Sequence, residues 1–286
     1  MQLAVTLTLC CILSAANSDR AEGPRASTDE ENLAEYLLQG WRTEREKVFC
    51  GSFTVSSEFH EVSRDGTPTG KSMPSLGGAS SMRIRFDRSS GFEEHVLYNG
   101  TEVAAYHALT PEARFFSPDL RSLVVSLYSP ESTPHVELSR CVFDWRTAGC
   151  FDTSEIELDG VTVNTFLGRF GNLVTIAKVY AGKKPGTFTI EAWGELQYAD
   201  GKGGLVETYT FDEAAGFTIL SRTVHFCRLG EEGAVGQKPA HLSANCDWEQ
   251  KHDVWVPTEI RFSERWSEKE GLVRLDWHTV NDCSAT

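Results

Sequence analysis

Histidine, cysteine and acidic residues are the side chains in this sequence that could do chemistry, and their spacing decides which chemistry is open to them. The chain has no GxSxG nucleophile turn, no HExxH zinc motif and no phosphate-binding P-loop. Adjacent acids such as Glu93-Glu94 and Glu231-Glu232 occur among 41 acidic residues, where they are typical of solvated edges. Eight histidines stand singly along the chain: His60, His95, His107, His135, His225, His241, His252 and His278. The sequence therefore predicts no catalytic residue and no cofactor.

The cysteines favour disulfide bonds over a metal site. Two of the eight lie in the first eighteen residues, which leaves six: Cys50, Cys141, Cys150, Cys227, Cys246 and Cys283. An even number in an exported chain favours disulfides, and no CxxC pair or nearby histidine suggests a metal ligand set. Closeness along the chain suggests the pairs Cys141–Cys150 and Cys227–Cys246, which leaves Cys50–Cys283 to join the two ends. Other pairings and buried thiols remain open.

The beginning of the chain resembles a secretory signal peptide. An uncharged apolar run over 3–16 is too short to span a bilayer, and Ala16-Asn17-Ser18 offers small residues for cleavage. The alternative is that this run is a buried first strand or helix. A lipid anchor at Cys10 is disfavoured, because Leu9 precedes it at a position where such sites have a small residue. We expect residues 1–18 to be a signal peptide, 19–27 a polar leader, and the protein to be periplasmic or extracellular, with no later transmembrane segment.

Composition limits the partners and the number of domains. A net charge of −14 repels nucleic acid and anionic lipid headgroups, so neither is an expected partner. The remaining length suits one large β domain or two small ones and allows a substantial core. We expect a single β-rich domain over 28–286, with an insertion around 129–165. Seven tryptophans could stack on sugars, although packing within a sheet is their more frequent role.

Hydrophobic residues alternate with polar ones along several segments, which is typical of antiparallel strands with one solvated face. The clearest alternating sets are Phe53, Val55 and Phe59; Met82, Ile84 and Phe86; Phe188, Ile190 and Ala192; and Val273, Leu275 and Trp277. Hairpin dipeptides separate them at Asn99-Gly100, Asp159-Gly160 and Asp200-Gly201. The pattern F-D-x-x-x-G-F occurs at 86–92 and 211–217, which indicates two similar hairpins or, alternatively, an internal duplication.

Two helices are predicted. The first covers 28–39, where Thr28 and Glu31 form a capping box and Gly40 is a plausible end. The second covers 118–128, with Ser117 as cap and Pro118 at the first helical position. Its apolar stripe consists of Leu120, Leu123, Val124, Leu127 and Tyr128.

The last strands resemble the ending of the bacterial periplasmic lipoprotein carrier and sorting proteins. Residues 256–262 read V-P-x-x-I-x-F, and an acidic turn and the closing strand 273–281 follow. The F-D-x-x-x-G-F hairpins are also similar to the strand meander of that family, and the resemblance covers 47–109 and 187–281. It implies a mostly β fold: a curved antiparallel sheet or incomplete β-barrel with one or two helices across an apolar concave face. In that family the concave face holds acyl chains.

The candidate ligand-binding residues are those on the apolar strand faces. They are Phe53, Val55, Ile84, Phe86, Tyr209, Phe211, Leu275 and Trp277. The leading hypothesis is a non-enzymatic exported protein that binds a lipid, an acyl chain or a lipidated partner on this face. Two alternatives stay open, namely a structural or protein-interaction module of the cell envelope without a ligand and a hydrolase with an unrecognised carboxylate site. Oligomeric state and ligand identity are not predicted.

Overall fold

A long antiparallel sheet forms most of the protein. The computed structural model describes residues 26–63, 65, 67–73, 79–117, 120–127, 174–198, 201–228, 240–265 and 268–283. Within them lie one helix and fourteen strands: α1 (Thr28–Glu46), β1 (Cys50–Val62), β2 (Pro68–Met73), β3 (Ser81–Asp87), β4 (Phe92–Asn99), β5 (Glu102–Leu109), β6 (Ala113–Ser117), β7 (Val124–Leu127), β8 (Val174–Ala181), β9 (Thr187–Tyr198), β10 (Gly201–Asp212), β11 (Thr218–Arg228), β12 (Leu242–Lys251), β13 (Val254–Glu264) and β14 (Lys269–Val280). The predicted mostly β fold, a curved antiparallel sheet covered by a helix, is confirmed.

The strand order places the first and the last strand of the chain side by side in the sheet. The order is β7-β6-β5-β4-β3-β1-β14-β13-β12-β11-β10-β9-β8, and β2 pairs with the later part of β1. Apart from β1 and β3, between which β2 lies in the chain, the other neighbouring pairs are hairpins of consecutive strands. Strands β1 and β14 pair although nearly the whole described chain separates them. The register sets Phe53 opposite Trp277 and Val55 opposite Leu275.

The side-chain alternation of the strands divides the sheet into an apolar inner face and a polar outer face. The inner face carries Phe53, Ile84, Leu275 and Tyr209, and α1 packs on part of it. The outer face carries Thr54, Arg83 and Asp276 from the intervening positions. This is the half-solvated alternation that the sequence predicts.

Helix α1 begins at Thr28, as predicted, but its N-cap lies one residue before the predicted one and the helix ends later. The N-cap is Ser27, whose hydroxyl accepts a hydrogen bond from the Glu30 amide, so the capping box is Ser27 with Glu30 and not Thr28 with Glu31. Glu30 also accepts a hydrogen bond from the amide of Val179, which ties the start of the helix to β8. Gly40 does not end the helix, which continues to Glu46.

The predicted second helix over 118–128 is wrong for the residues that the structure describes there. Leu120 has a φ of 57°, which a right-handed helix excludes, and β7 begins at Val124. Val125 lies opposite Phe115 and Val124 opposite Phe116, so pairing with β6 determines the conformation of these β-branched residues. The predicted insertion around 129–165 and the signal peptide lie outside the described residues.

One predicted disulfide is present and one is incompatible with the register. Cys50 and Cys283 are bonded, with their Cα atoms 5.8 Å apart. The Cys227–Cys246 pair is wrong: Asn245 lies opposite Ser221, so Cys246 and Cys227 are separated by about 20 Å of extended strand, beyond the reach of a disulfide. Cys141 and Cys150 lie outside the described residues.

The predicted hairpins are present wherever the structure describes them. The Asn99-Gly100 turn joins β4 to β5, and both F-D-x-x-x-G-F segments join consecutive strands. In each of these segments the aspartate accepts a hydrogen bond from a turn amide, Ser89 to Asp87 and Ala215 to Asp212.

The described part of the chain contains no helix with the length and apolar character needed to cross a membrane.

Candidate functional site

The eight predicted ligand-binding residues all lie on the inner face, and all are buried, with at most 6% of their surface exposed. The structure divides them between two hydrophobic clusters. Six belong to a larger cluster under β1, β3 and β14: Phe53, Val55, Ile84, Phe86, Leu275 and Trp277. Tyr209 and Phe211 belong to a smaller cluster under α1.

Aromatic contacts define the centre of the larger cluster. The rings of Phe53 and Trp277 lie 4.4 Å apart between centroids, and Phe86 makes an edge contact with each of them at 6.4 Å. The indole N–H of Trp277 donates to the carbonyl of Pro257 at 2.8 Å, which satisfies its one polar group. The cluster therefore presents an entirely apolar surface to the inside of the curved sheet.

Helix α1 covers only the smaller cluster. Its buried residues Ala34, Leu37 and Trp41 pack against Val179, Ile190 and Ile219. No residue of α1 belongs to the larger cluster among the residues that the structure describes. The larger cluster is nevertheless buried, so contacts other than those of α1 shield this apolar face from water.

Polar contacts fix the position of α1 on the sheet. The Arg45 guanidinium, near the end of the helix, donates to the carbonyls of Trp255 and Gly216 at 3.0 and 3.3 Å and stacks 4.3 Å from the Trp248 ring. In the preceding part of the helix the Tyr36 hydroxyl donates to Glu213 at 2.6 Å, which raises the pKa of that hydroxyl. These contacts connect the helix to the β10–β11 turn and to β13.

A buried polar cluster separates the two hydrophobic clusters on the inner face. Glu207 accepts hydrogen bonds from Arg222, at 2.9 Å, and from the Tyr209 hydroxyl. Glu207 lies opposite Val224 of the larger cluster, and Arg222 lies opposite Tyr209 of the smaller one. Both carboxylate oxygens are occupied, so this group orients its neighbours and is poorly suited to act as a general base.

Two buried histidines occupy the inner face of β4 and β5. His95 and His107 lie directly opposite each other with ring centroids 5.8 Å apart, and His107 contacts Phe116 on β6. His95 Nε2 hydrogen-bonds with Glu93, two residues earlier on the same strand. Across the described ranges, no group of three or more histidine, cysteine or acidic residues could hold a metal ion.

The outer face carries an open, charged depression of about 440 Å³. Its charged lining residues are Asp247, Glu249, Lys251, Glu259, Arg261, Arg274 and Asp276. Cross-strand ion pairs connect many of these charges, with Arg261 to Asp247 at 3.1 Å and Arg274 to Glu259 at 3.3 Å. The hydrogen bonds that Arg274 donates to Glu58 and Glu259 raise the pKa of its guanidinium, and the bond to Glu58 has the larger effect. Ion pairs that are exposed to solvent in this way contribute little to stability.

Sequence reasoning missed the polar cluster of Glu207, Tyr209 and Arg222. The signal was available, because Glu207 stands two residues before Tyr209 and four before Phe211, at a position where the strand alternation requires an apolar side chain. An acid on the apolar face of a strand needs a partner. The basic partner was harder to identify, because Arg222 is on the next strand and its register depends on a bulge between Thr210 and Phe211.

Comparisons with known proteins return distant structural similarities. No protein-family model matches the chain, and no curated protein matches its sequence. Among solved structures, it is similar to a LolA superfamily protein from Nitrosomonas europaea, with 9% identity over 85% of this chain and 91% of that one and a TM-score of 0.40. A putative outer membrane lipoprotein-sorting protein domain from Vibrio parahaemolyticus has 10% identity over 88% of this chain and 96% of that one, with a TM-score of 0.42. A DUF1329 family protein from Desulfovibrio piger has 8% identity over 88% of this chain and 94% of that one, with a TM-score of 0.45. The class that the sequence predicts is among these similar structures.

Proposed function

We propose that the protein is an exported, non-enzymatic binding protein that holds an acyl chain, of a lipid or a lipidated partner, against the larger cluster of the inner face. The observation that carries the proposal is the unequal cover of that face. Helix α1 shields the smaller cluster, whereas the larger cluster around Phe53 and Trp277 has no helical cover among the described residues. A flexible apolar chain is a ligand that matches such a surface in both shape and polarity.

Export is supported by two independent features. The apolar run before Asp19 has the length of a signal-peptide core, and small residues suited to cleavage follow it. The Cys50–Cys283 bond requires an oxidising compartment to form and persist. Both features support the proposal that the protein acts outside the cytosol.

Tryptophan quenching by brominated fatty acid tests the proposal on the mature protein. Bromine quenches indole fluorescence only on close approach, so an acyl chain on the larger cluster should quench Trp277. We expect Trp277→Phe to remove most of the quenching, since it keeps the aromatic packing with Phe53. Trp193→Phe is the matched control, because Trp193 packs over Gly204 on the outer face and should leave the quenching unchanged.

A second candidate function follows from the same burial values. The eight predicted binding residues are as buried as any core, which favours a structural or protein-interaction module whose inner face is already filled. Native mass spectrometry without detergent separates the two candidates. A copurified lipid at near-equal stoichiometry supports the binding protein, whereas a clean protein mass together with no quenching supports the filled module.

A further inference from the structure

The segment 120–127, hereafter the edge segment, concentrates exposed apolar side chains. Five of the nine large hydrophobic residues that are exposed in the described structure lie within these eight positions. The exposed fractions are 54% for Leu120, 59% for Leu123, 54% for Val124, 48% for Val125 and 79% for Leu127. Single exposed hydrophobics are ordinary on protein surfaces, but five in one short segment indicate an interaction site.

The edge segment lies at one end of the described sheet and continues its inner face. Strand β7 pairs with β6, and Val124 lies opposite Phe116. Phe116 lies opposite His107, which lies opposite His95, which lies opposite Ile84 of the larger cluster. A single row of inner-face positions therefore runs from the edge segment to the proposed acyl-chain site.

The exposure of both faces of β7 distinguishes a lipid surface from a protein partner. Val124 and Val125 point to opposite faces, yet about half of each side chain is exposed. A strand that paired with β7 would occupy its hydrogen-bonding edge, and a flat protein surface would cover only one face. A lipid interface surrounds the segment and shields both faces at once.

The charge of the segment also fits a lipid surface. The chain carries a net charge of −14, but Arg121 is the only charged residue between Leu120 and Leu127. Since these eight positions contain no acidic residue, no carboxylate has to be desolvated when the segment enters a lipid interface. Among the described strands, β7 pairs with β6 alone. The polar groups of its other edge need water or headgroups as partners, which limits the depth of insertion.

We propose that the edge segment docks the protein on the interface of a zwitterionic bilayer, with its leucine and valine side chains among the upper acyl groups and its backbone at headgroup level. The inference deepens the proposed function, on which it rests for the nature of the cargo. It names the bilayer as the source or the destination of the acyl chain and the β6–β7 edge as the side through which the chain passes.

Cosedimentation of the mature protein with phosphatidylcholine vesicles tests the docking. The variant Leu123→Asp/Leu127→Asp should weaken vesicle binding by about tenfold or more, since both side chains are exposed and available for burial in lipid. The matched control Val103→Asp/Tyr180→Asp places the same two charges at exposed apolar positions elsewhere and should bind within about twofold of the wild type. Thermal unfolding of each variant verifies that the fold is intact.

Three results would overturn the docking proposal. They are a wild-type protein that stays in the supernatant, equal binding by the two double variants, and binding that needs anionic lipid or disappears in high salt. Self-association of the wild type that Leu123→Asp/Leu127→Asp abolishes, without vesicle binding, would assign the segment to a protein contact instead.

The bromine-quenching assay distinguishes failure of this inference from failure of the proposed function. Quenching of Trp277 that survives in Leu123→Asp/Leu127→Asp while vesicle binding is lost supports the inference. Quenching without any vesicle binding by the wild type refutes the docking and leaves the acyl-chain site intact. Vesicle binding without quenching refutes the acyl-chain site alone.

Discussion

The ring of Phe217 lies against Gly40 in the middle of α1, where a Cβ atom would be 2.6 to 2.7 Å from three of the ring carbons. Tyr36, one helical turn earlier, contacts the same ring edge-on at 5.3 Å. The glycine therefore forms a notch in the helix, and the turn between β10 and β11 inserts an aromatic ring into it. Close packing explains this glycine, which the sequence pattern suggested as the end of the helix.

We predict that Gly40→Ala destabilises the protein although alanine is the better helix former. The helix propensity would favour alanine by about 1 kcal/mol, whereas overpacking against the ring costs about 1–3 kcal/mol. The expected net loss in free energy of unfolding is about 1 kcal/mol, measured by urea denaturation. Asn32→Ala, at an exposed position of the same helix, is the control and should be neutral or stabilising. A Gly40→Ala protein as stable as this control would show that the notch is not occupied.

The Glu207–Arg222 pair should show strong coupling. Removal of either partner leaves a buried charge without its counter-charge, and we expect Arg222→Met or Glu207→Gln to lower the free energy of unfolding by about 3–5 kcal/mol. The double variant should lose much less than the sum of the two single losses, because no unpaired charge remains. A double-mutant cycle by urea denaturation measures the coupling, and additive effects would contradict the geometry described for Glu207.

The Cys50–Cys283 bond should contribute about 2–5 kcal/mol to the free energy of unfolding. We expect the variant Cys50→Ser/Cys283→Ser to unfold at a lower urea concentration than the oxidised wild type. A proteolytic digest under non-reducing conditions should contain the two cysteines in one cross-linked peptide. Recovery of Cys50 joined to any other cysteine would contradict the structure.

Stability should fall in acid through carboxylates whose pKa values the fold lowers. The Ser63 hydroxyl, together with the Thr67 amide, lowers the pKa of Asp65 from 3.8 to about 2, and the hydroxyls of Ser89 and Ser90 lower that of Asp87. Because the folded values lie below the unfolded ones, the stabilisation is complete well above pH 3.8 and is lost as the pH falls towards 2.

The variant Asp87→Asn tests this acid dependence in the β3–β4 turn. Its amide cannot titrate, so the urea midpoint should fall less between pH 5 and pH 3 than the midpoint of the wild type. Asp276→Asn removes the same charge from the exposed outer face and is the control. If both variants follow the wild-type pH dependence, the turn hydrogen bonds of Asp87 do not stabilise the ionised form.

The alternation of single strands and the turn dipeptides were sufficient to predict the sheet, its antiparallel character and its apolar face. The alternation at Phe53, Val55 and Phe59 is a local pattern, so it predicts a strand whichever strands lie beside it. The second helix was wrong because a stripe at helical spacing in 118–128 is also compatible with an exposed edge strand. There, pairing of Val124 and Val125 with β6 overrides the spacing.

The relationships between distant strands could not be predicted from the sequence. The Cys227–Cys246 pair looked reasonable from chain separation, but the register of β11 against β12 excludes it. The polar cluster depends in the same way on the bulge that brings Arg222 opposite Tyr209. Local pattern identifies which face a residue occupies, whereas hydrogen-bonding register, a property of two strands, decides what it contacts.

The pairing of β1 with β14 also sets an order of folding events under the proposed export of the chain. The strands β3–β7 and β8–β13 can each form hairpins as they emerge, because their neighbours are close in sequence. The β1–β14 pairing that connects these two halves cannot form until β14 has emerged. Cys283, the partner of Cys50, lies 233 positions later, so every intervening cysteine becomes available to Cys50 first. Secretion of this protein should therefore depend on an isomerase that corrects early, wrong pairings of Cys50.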